Sequence, residues 1–582
     1  MQSIKNHGKD ILVSPNCKKY ILEVEEMPKK VDKKEGRKEG RAIFVLWVVL
    51  LLLSVGVLAL HGCSGKSQTT TPDNENQLVP VKPDLGMFRN LEWTNPPVGD
   101  ELIPRQPPAP AGESNADITN VIYDHFYPVG YPGRIKDHWH GGPLYPQEDA
   151  YTYTIAAWQR PEGEISNIYF RVLYRDGDGV YGMSPEIMVQ NINGWIHEWP
   201  AVTAHLRYDG RIVVDIAFQA RVNENQRWII MHARSIQGTP QVFSSFPPAV
   251  VDSPISMPYY DCQHPDIVID AAPDTILYPS CNRLHLVFEV NAGWGSTSRI
   301  DYRKALDWGD HLQWVEQGPL STNSPSPYCE RPRIDVGYDD SQVIQVLFQS
   351  PTVYYVGVVW NTMHFTGGLK ADVEYCGFWA QFFFPNPPLV YQLKTAGTLD
   401  FHVYPYIEID PVELGGGLNP RFTHVVWTET VLNPGTGQFE NAVMWGQYTG
   451  RIIPYGIPSA QLLYAGAIPG GRNGLPTYAT FTREVDEGGL LRRKGWLTWV
   501  HDDGPNDPNV EVWAGALEYN KADPWMYYPV NQEQIGGGDS SIYEPYVYGP
   551  DVATFNQVLC RSIWTDFDDG TFYSIFGDSS EY

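Results

Sequence analysis

The sequence predicts an all-β fold: a β-propeller of seven four-stranded blades, with six blades as the alternative. Short apolar strands that each end on an aromatic residue recur along the chain, at Trp158, Phe218, Phe288, Phe348, Trp427, Trp499 and Trp564. The spacings are 60, 70, 60, 79, 72 and 65 residues. Units that recur at a loose period and cannot each bury a hydrophobic face alone stack on one another. The 53 Gly and 48 Pro, with 13% aromatic residues, suit many short strands joined by turns.

A second mark precedes six of the seven aromatics, a proline that opens a short strand. These prolines are Pro200, Pro265, Pro332, Pro405, Pro476 and Pro545. Proline is tolerated at the first position of a strand, where no N–H is needed for the ladder. No opening strand is evident before Tyr151, which is why six blades remain the alternative.

The last unit ends after its third strand and so has an open edge. Propellers avoid such an edge by closing the ring with a strand from the other terminus. We expect residues 117–124 to supply that strand.

The chain before the repeat has three parts. Residues 1–41 form a basic cytoplasmic or leader region, residues 42–63 an apolar signal or transmembrane segment, and residues 64–116 a Pro- and Thr-rich linker. The predicted propeller domain is 117–582. The run Leu60-His61-Gly62-Cys63 resembles the lipobox of bacterial lipoproteins, which implies lipid on Cys63. The resemblance also implies an extracytoplasmic protein of the bacterial cell envelope, with the outer membrane favoured because Ser64 follows; an uncleaved anchor is the alternative.

A formal net charge of −26 argues against nucleic acid as a partner, because phosphate binding needs clustered cations. Acidic loops that include Asp176, Asp178, Asp566 and Asp568 offer the oxygen ligands that calcium takes, but none completes an EF-hand. Calcium is therefore a weak candidate cofactor, and no other is indicated.

Strands of the form Pro-x-Ile, followed by a Val-Val-Trp strand, resemble the propeller repeats of the sialidase-like group. Residues 307–314, Asp-Trp-Gly-Asp-His-Leu-Gln-Trp, are similar to that group's Asp box, a turn on the face away from the active site. The resemblance implies a propeller fold. The three arginines and the Tyr–Glu pair of a true sialidase cannot be placed in this sequence, so the resemblance adds little about activity.

Residues just before the opening prolines are expected to converge at the mouth of the central channel. The candidate ligand-binding residues are His197, Trp199, His264, Glu330, Arg331, His402, Tyr404, Tyr543 and Glu544, and the candidate catalytic residues are Glu330, Glu544, Glu198 and His264. Carboxylates beside histidines suit acid–base chemistry or metal binding, and aromatic rings suit stacking on sugars. A second polar series follows the aromatics and is expected to cap strand ends or line the same mouth: Gln159, Gln219, Glu289, Gln349, Glu429, Asp502 and Asp566.

Cysteines offer two disulfide pairings. Cys262 and Cys329 occupy equivalent positions in adjacent units and could be bridged if the loops bend, and Cys262 with Cys281 is the rival.

The leading functional hypothesis is a membrane-tethered propeller that binds an extracellular ligand, carbohydrate or protein, without chemistry of its own. The first alternative is a glycan-active enzyme, a sialidase-like glycoside hydrolase or a lyase. The second alternative is an envelope scaffold on which other proteins dock.

Overall fold

The structure is a computed structural model. It describes residues 4–6, 9–11, 116–117, 126–132 and 152–581, except for 176–180, 192–193, 208, 241, 253, 257–258, 271–281, 292–296, 308–310, 325, 340–352, 365–369, 380–389, 395–400, 410–421, 433–438, 450–451, 454–456, 459–460, 469–471, 486–490, 503–509, 520–526, 538–542, 555–556 and 567–573.

The chain divides into two compact units, residues 1–79 and 80–582. In the first, β1 (Ile4–Asn6) pairs with β2 (Lys9–Ile11) as an antiparallel hairpin. The predicted signal segment at 42–63, including Cys63, and nearly all of the linker lie outside the described residues. Where the structure does describe the chain, it contains no helix with the length and apolar character needed to cross a membrane.

The second unit is all-β, and its described residues contain no α-helix. Its strands form antiparallel sheets. The first described strand of this unit, β3 (Ala116–Asp117), is only two residues long. The first sheet contains β4 (Phe126–Pro132), β5 (Thr152–Glu162), β6 (Ile165–Arg175), β7 (Tyr181–Met183) and β8 (Ile187–Met188). The second contains β9 (Ile196–Leu206), β10 (Ile212–Arg221), β11 (Ile229–Ile236) and β12 (Val250–Val251). The third contains β13 (Asp261–Asp270), β14 (Asn282–Asn291), β15 (Ser298–Asp307) and β16 (Leu312–Pro319).

Four more sets of strands repeat the pattern. The fourth contains β17 (Tyr328–Asp339), β18 (Val353–His364), β19 (Lys370–Trp379) and β20 (Val390–Lys394). The fifth contains β21 (Phe401–Ile409), β22 (Phe422–Leu432), β23 (Phe439–Thr449), a small hairpin of β24 (Ile452–Ile453) and β25 (Ile457–Pro458), and β26 (Gln461–Ile468). The sixth contains β27 (Arg472–Val485), β28 (Leu491–Asp502), β29 (Val510–Tyr519) and β30 (Tyr527–Gly537). The seventh contains β31 (Tyr543–Thr554), β32 (Gln557–Asp566) and β33 (Ser574–Glu581).

Single-residue parallel pairings join the third strand of one set to the first strand of the next from the third set to the sixth, at Ser298 with Tyr328, Ala371 with Phe401, and Asn441 with Arg472. Two 3-10 helices, Phe243–Ser245 and Ser321–Asn323, lie in connections of the second and third sets.

Each first strand carries a β-bulge where it pairs with its second strand. In the described chain the bulges fall at Tyr127-Pro128, Trp199-Pro200, His264-Pro265, Arg331-Pro332, Tyr404-Pro405, Leu475-Pro476 and Glu544-Pro545. A bulge leaves a residue without a ladder partner, so the missing N–H of proline costs no hydrogen bond there. The prolines therefore mark a bulge inside each first strand and not its start.

Two sequence assignments need correction. The second strand of the fourth set is Val353–His364, which pairs with β17, so its aromatic is the fully buried Trp360 and not Phe348. The spacings then become 60, 70, 72, 67, 72 and 65 residues, which is more regular than predicted. The first set does have an opening strand, β4, with its bulge at Tyr127-Pro128. Phe348 and Gln349 lie outside the described residues.

Contacts between first strands follow the chain order: each lies against the first strand of the next set, and β31 of the seventh lies against β4 of the first. The strand β3 pairs antiparallel with β33, through Ala116 with Gly577 and Asp117 with Phe576. Asp117 is the first residue of the segment expected to close the ring, and residues 118–124 lie outside the described part.

Candidate functional site

Four large side chains stand on left-handed backbone, each directly before the proline of a bulge. They are Trp199 (φ 52°), His264 (φ 49°), Arg331 (φ 51°) and Tyr404 (φ 55°). Among the described residues, no other non-glycine residue has a positive φ. This conformation costs roughly 1–2 kcal/mol for an L-residue, and a following proline restricts the backbone further. The chain thus places Trp, His, Arg and Tyr where glycine would be least strained.

These four side chains contact one another, and we call them the arc. The Trp199 and His264 rings meet edge to face at 4.6 Å between centroids. The Arg331 guanidinium lies 5.7 Å from the centroid of the Trp199 ring and 4.6 Å from that of Tyr404. All four were predicted as site residues, and the structure brings them together.

Carboxylates lie beside the arc. Nδ1 of His264 lies 2.9 Å from Oε2 of Glu289, whose Oε1 accepts a 2.8 Å hydrogen bond from Asn291. Burial raises the pKa of Glu330, the charge of Glu289 raises it further, and Arg331 and His264 oppose the rise. Burial also raises the pKa of Glu198, against the opposing effect of Arg221. The site thus holds partly buried carboxyl groups next to an imidazole.

Side-chain acceptors hold the backbone N–H groups of three of the four arc residues. Trp199 N–H donates to Oε1 of Gln159 at 3.3 Å, and His264 N–H donates to Oε1 of Gln219 at 3.2 Å. Arg331 N–H donates to Oε2 of Glu289 at 3.4 Å. Each acceptor directly follows the second-strand aromatic of the preceding set. Three members of the polar series seen in the sequence, Gln159, Gln219 and Glu289, thus hold the bulge of the next set. Sequence reasoning located these residues but missed their partners.

His197, although predicted in the site, is a buried residue that packs on Phe218 at 4.7 Å between ring centroids. Burial lowers its pKa to about 4. Within the described contacts it does not join the arc.

Three predicted residues are described only through their backbone. His402 lies in β21, two residues before the bulge residue Tyr404, and Tyr543 and Glu544 lie at the bulge of β31. Their side chains are outside the described part.

The predicted bridge between Cys262 and Cys329 is not formed. Both are buried free thiols, as is Cys376. Cys329 packs with Val336 and Trp360, whereas Cys262 packs with Ile269 and Phe288, so the two thiols belong to different hydrophobic clusters. Cys281, the rival partner, lies outside the described residues, and Cys262 is free.

The calcium candidates Asp176, Asp178 and Asp568 lie outside the described residues, and of Asp566 only the backbone, at the end of β32, is described. No group of three or more His, Cys, Asp or Glu side chains suited to a metal ion occurs in the part of the chain that the structure describes.

Asp307 of the Asp-box-like segment joins the second and third sets. It lies 2.8 Å from Nη1 of Arg234 and 3.2 Å from Nε2 of His205, both in the second set. Arg234 also forms an ion pair with Asp215, which contacts Nε2 of His232 at 2.9 Å. This buried network is distinct from the arc.

Comparison with known proteins finds no matching family model and no matching curated protein. Solved structures do match. A GH93 alpha-L-arabinofuranosidase of Fusarium graminearum in complex with arabinobiose has a TM-score of 0.36 and 9% identity, covering 81% of this chain and 97% of its own. A glycoside hydrolase family 32 protein from Bifidobacterium adolescentis has 0.29 and 10%, covering 79% of each chain. The parainfluenza virus 5 hemagglutinin-neuraminidase ectodomain has 0.29 and 8%, covering 89% and 99%. TM-scores this low leave the function to be inferred from the site itself.

Proposed function

We propose that the second unit is a seven-bladed β-propeller. The seven bulged strand pairs support it, as do the cyclic contacts of the first strands from β4 to β31 and back to β4. Pairing of β3 with β33 gives the seventh set its fourth strand, as in propellers closed by a terminal strand.

We further propose that the arc is a glycan-active site. The observation that carries this proposal is the convergence of Trp199, His264, Arg331 and Tyr404 on strained backbone. Backbone strain of this kind clusters at active and ligand-binding sites, where the surrounding structure holds the unfavourable conformation in place. Aromatic rings offer apolar faces to a sugar, and Arg and His offer hydrogen-bond donors to its hydroxyl groups.

A carboxyl pair gives this site a chemistry. The residue after the second-strand aromatic is a neutral amide in the first two sets, Gln159 and Gln219, but a carboxylate in the third, Glu289. The third set thus carries a charged side chain, in place of a neutral amide, next to His264 and Glu330. In glycoside hydrolysis one carboxylic acid protonates the leaving oxygen while a second carboxylate acts as base or nucleophile. Glu330, with its raised pKa, suits the acid, and Glu289 the second role.

A glycan-binding and turnover screen on the full-length chain tests this function. We expect at least one oligosaccharide to bind and to be cleaved, and Trp199→Ala to weaken binding at least about tenfold because a stacking face is lost. Tyr259→Ala is the matched control, because Tyr259 is a 74% exposed aromatic with no described contact to the arc. Absence of any glycan response would refute the proposal and favour a protein-docking scaffold.

Binding without cleavage is the second candidate function. The contacts of Arg331 with two aromatic rings favour it, because they form a recognition surface whether or not the carboxyl pair reacts. In the same screen, binding that survives while no product forms identifies a lectin-like protein.

The cellular setting remains a proposal from the sequence. A lipid on Cys63 would tether the protein to the bacterial envelope, with the outer membrane favoured. Mass spectrometry of the mature N-terminus tests this directly, since a diacylated Cys63 and an intact leader have different masses.

A further inference from the structure

We infer that Gln219 is a positioning residue for the arc, and that its function requires a neutral amide that donates and accepts at once. This inference rests on the proposed function of the arc and concerns a residue to which the mechanism gives no role. Gln219 lies in β10 of the second set and is buried, at 2% exposure.

The amide has one fixed orientation. Its Oε1 accepts the backbone N–H of His264, in the next set, at 3.2 Å. Gln219 lies directly opposite Glu198 where β10 pairs with β9. A hydrogen bond between the Gln219 side chain and the Glu198 carboxyl opposes the rise of the Glu198 pKa. The amide nitrogen is the only donor that the Gln219 side chain can offer to a carboxylate. One side chain therefore ties a carboxylate of the second set to the strained backbone of the third.

His264 needs such support because its left-handed conformation is intrinsically unfavourable. Its N–H donates to Gln219 from that left-handed backbone, and the same backbone aims the imidazole at Trp199 and Glu289. Loss of the acceptor would free the bulge to relax and move the imidazole. The effect on ligand binding would then be indirect, through His264.

Replacement of Gln219 by glutamate keeps the acceptor for the His264 N–H and removes the donor to Glu198. In Gln219→Glu the carboxylate can still accept from His264 N–H, but it can no longer donate to Glu198. Two adjacent carboxylates cannot both be charged without repulsion, so one takes up a proton as pH falls and restores the donor. A merely structural role would give a constant ratio of variant to wild-type affinity across pH.

The test measures affinity of the full-length chain for the glycan found in the screen, from pH 5 to pH 8. We expect Gln219→Met, which can neither donate nor accept as an amide does, to bind about 10-fold more weakly at every pH. We expect Gln219→Glu to approach wild-type affinity at pH 5 and to fall about 10-fold below it at pH 8. Thr428→Val is the matched control, since Thr428 holds the same position in the fifth set, whose following bulge residue Leu475 is not in the arc.

Wild-type affinity in Gln219→Met, or a flat ratio for Gln219→Glu, would overturn the inference while leaving the glycan site intact. If wild type binds no glycan, the proposed function fails, and a crystal structure of Gln219→Met still decides the positioning role. His264 that leaves the left-handed region in that structure supports the inference, and an unmoved His264 overturns it.

Discussion

Nδ1 of His264 lies 2.9 Å from Oε2 of Glu289, and the same oxygen accepts the backbone N–H of Arg331 in the next set. One carboxylate thus touches two members of the arc. Because Glu289 replaces the glutamine found at this position in the two preceding sets, the group that orders the bulge also brings charge to the site. Glu289 thus both holds the backbone of the next set and belongs to the candidate catalytic pair.

Because the arc residues have positive φ, a glycine variant at an arc position is expected to be more stable than the alanine variant, the reverse of the usual order in a strand. Elsewhere in a strand, glycine is less stable than alanine, but at a positive φ it relieves the strain. We expect Tyr404→Gly to be about 1 kcal/mol more stable than Tyr404→Ala by urea unfolding. Tyr406→Gly and Tyr406→Ala, outside the left-handed region, form the control pair and should show the opposite order. Equal stability of the two Tyr404 variants would contradict the strain.

The buried network of the second and third sets predicts acid sensitivity. Burial alone would raise the pKa of Asp215, but Arg234 and His232 outweigh it and lower that pKa to about 2. Because the pKa is depressed on folding, this stabilisation is present above the unfolded pKa of about 3.9 and is lost as pH falls through the folded value. We expect Asp215 alone to lower the free energy of unfolding by about 2 kcal/mol between pH 4 and pH 2.

Asp215→Asn should remove the part of the acid dependence that Asp215 contributes and leave the part due to Asp307, whose pKa His205 and Arg234 also lower. It should also destabilise the protein at neutral pH, since it leaves Arg234 without one partner. Glu224→Gln, at an exposed position in the turn after β10, is the control and should keep the wild-type profile. If the free energy of unfolding of Asp215→Asn falls with pH as it does in the wild type, Asp215 is not a source of the acid sensitivity.

Thiol chemistry should be slow in the folded state. Burial raises the pKa of Cys262 and of Cys329 to about 12 each and also raises the pKa of Cys376. Since the thiolate is the nucleophile, we expect iodoacetamide at pH 8 to modify none of the three until urea unfolds the chain. Peptide mass spectrometry reads each site, and rapid labelling without urea would show that these thiols are not buried.

Glu330 should act in its protonated form. Its pKa is raised, so glycan cleavage is expected to require this proton and to decline as pH rises above the raised value. Glu330→Gln should lower kcat about 100-fold or more and keep glycan affinity. Glu164→Gln, the same substitution at an exposed position in the turn between β5 and β6, is the matched control and should keep the wild-type kcat. Unaltered kcat in Glu330→Gln would remove Glu330 from the mechanism.

Sequence patterns located the repeat because a bulge with proline and a buried aromatic impose residue types that can be recognised without a structure. The fourth set was misassigned because residues 343–348 form an apolar run ending in Phe348, which resembles the true second strand, Val353–His364, with its buried Trp360. The opening strand of the first set was missed, although Trp158 marked the set, because a single Tyr127-Pro128 pair carried the signal of that strand.

The arc itself was predictable in membership but not in geometry. Counting back from each proline identifies Trp199, His264, Arg331 and Tyr404, yet the same count includes His197, which packs in the core against Phe218. His197 and Trp199 are only two residues apart in the same strand, but the bulge at Trp199 changes the direction in which the side chains point. The sequence does not reveal that change of direction. Hydrogen bonds between sets, such as Gln219 to His264, are equally invisible before the sets are placed side by side.

A crystal structure of the full-length chain with the oligosaccharide selected in the screen tests the central claim most directly. We predict a sugar ring against Trp199 or Tyr404, hydrogen-bonded to Arg331 or His264, with a glycosidic oxygen within reach of the Glu330 carboxyl. An oligosaccharide bound without contact to any of the four arc residues would contradict the account.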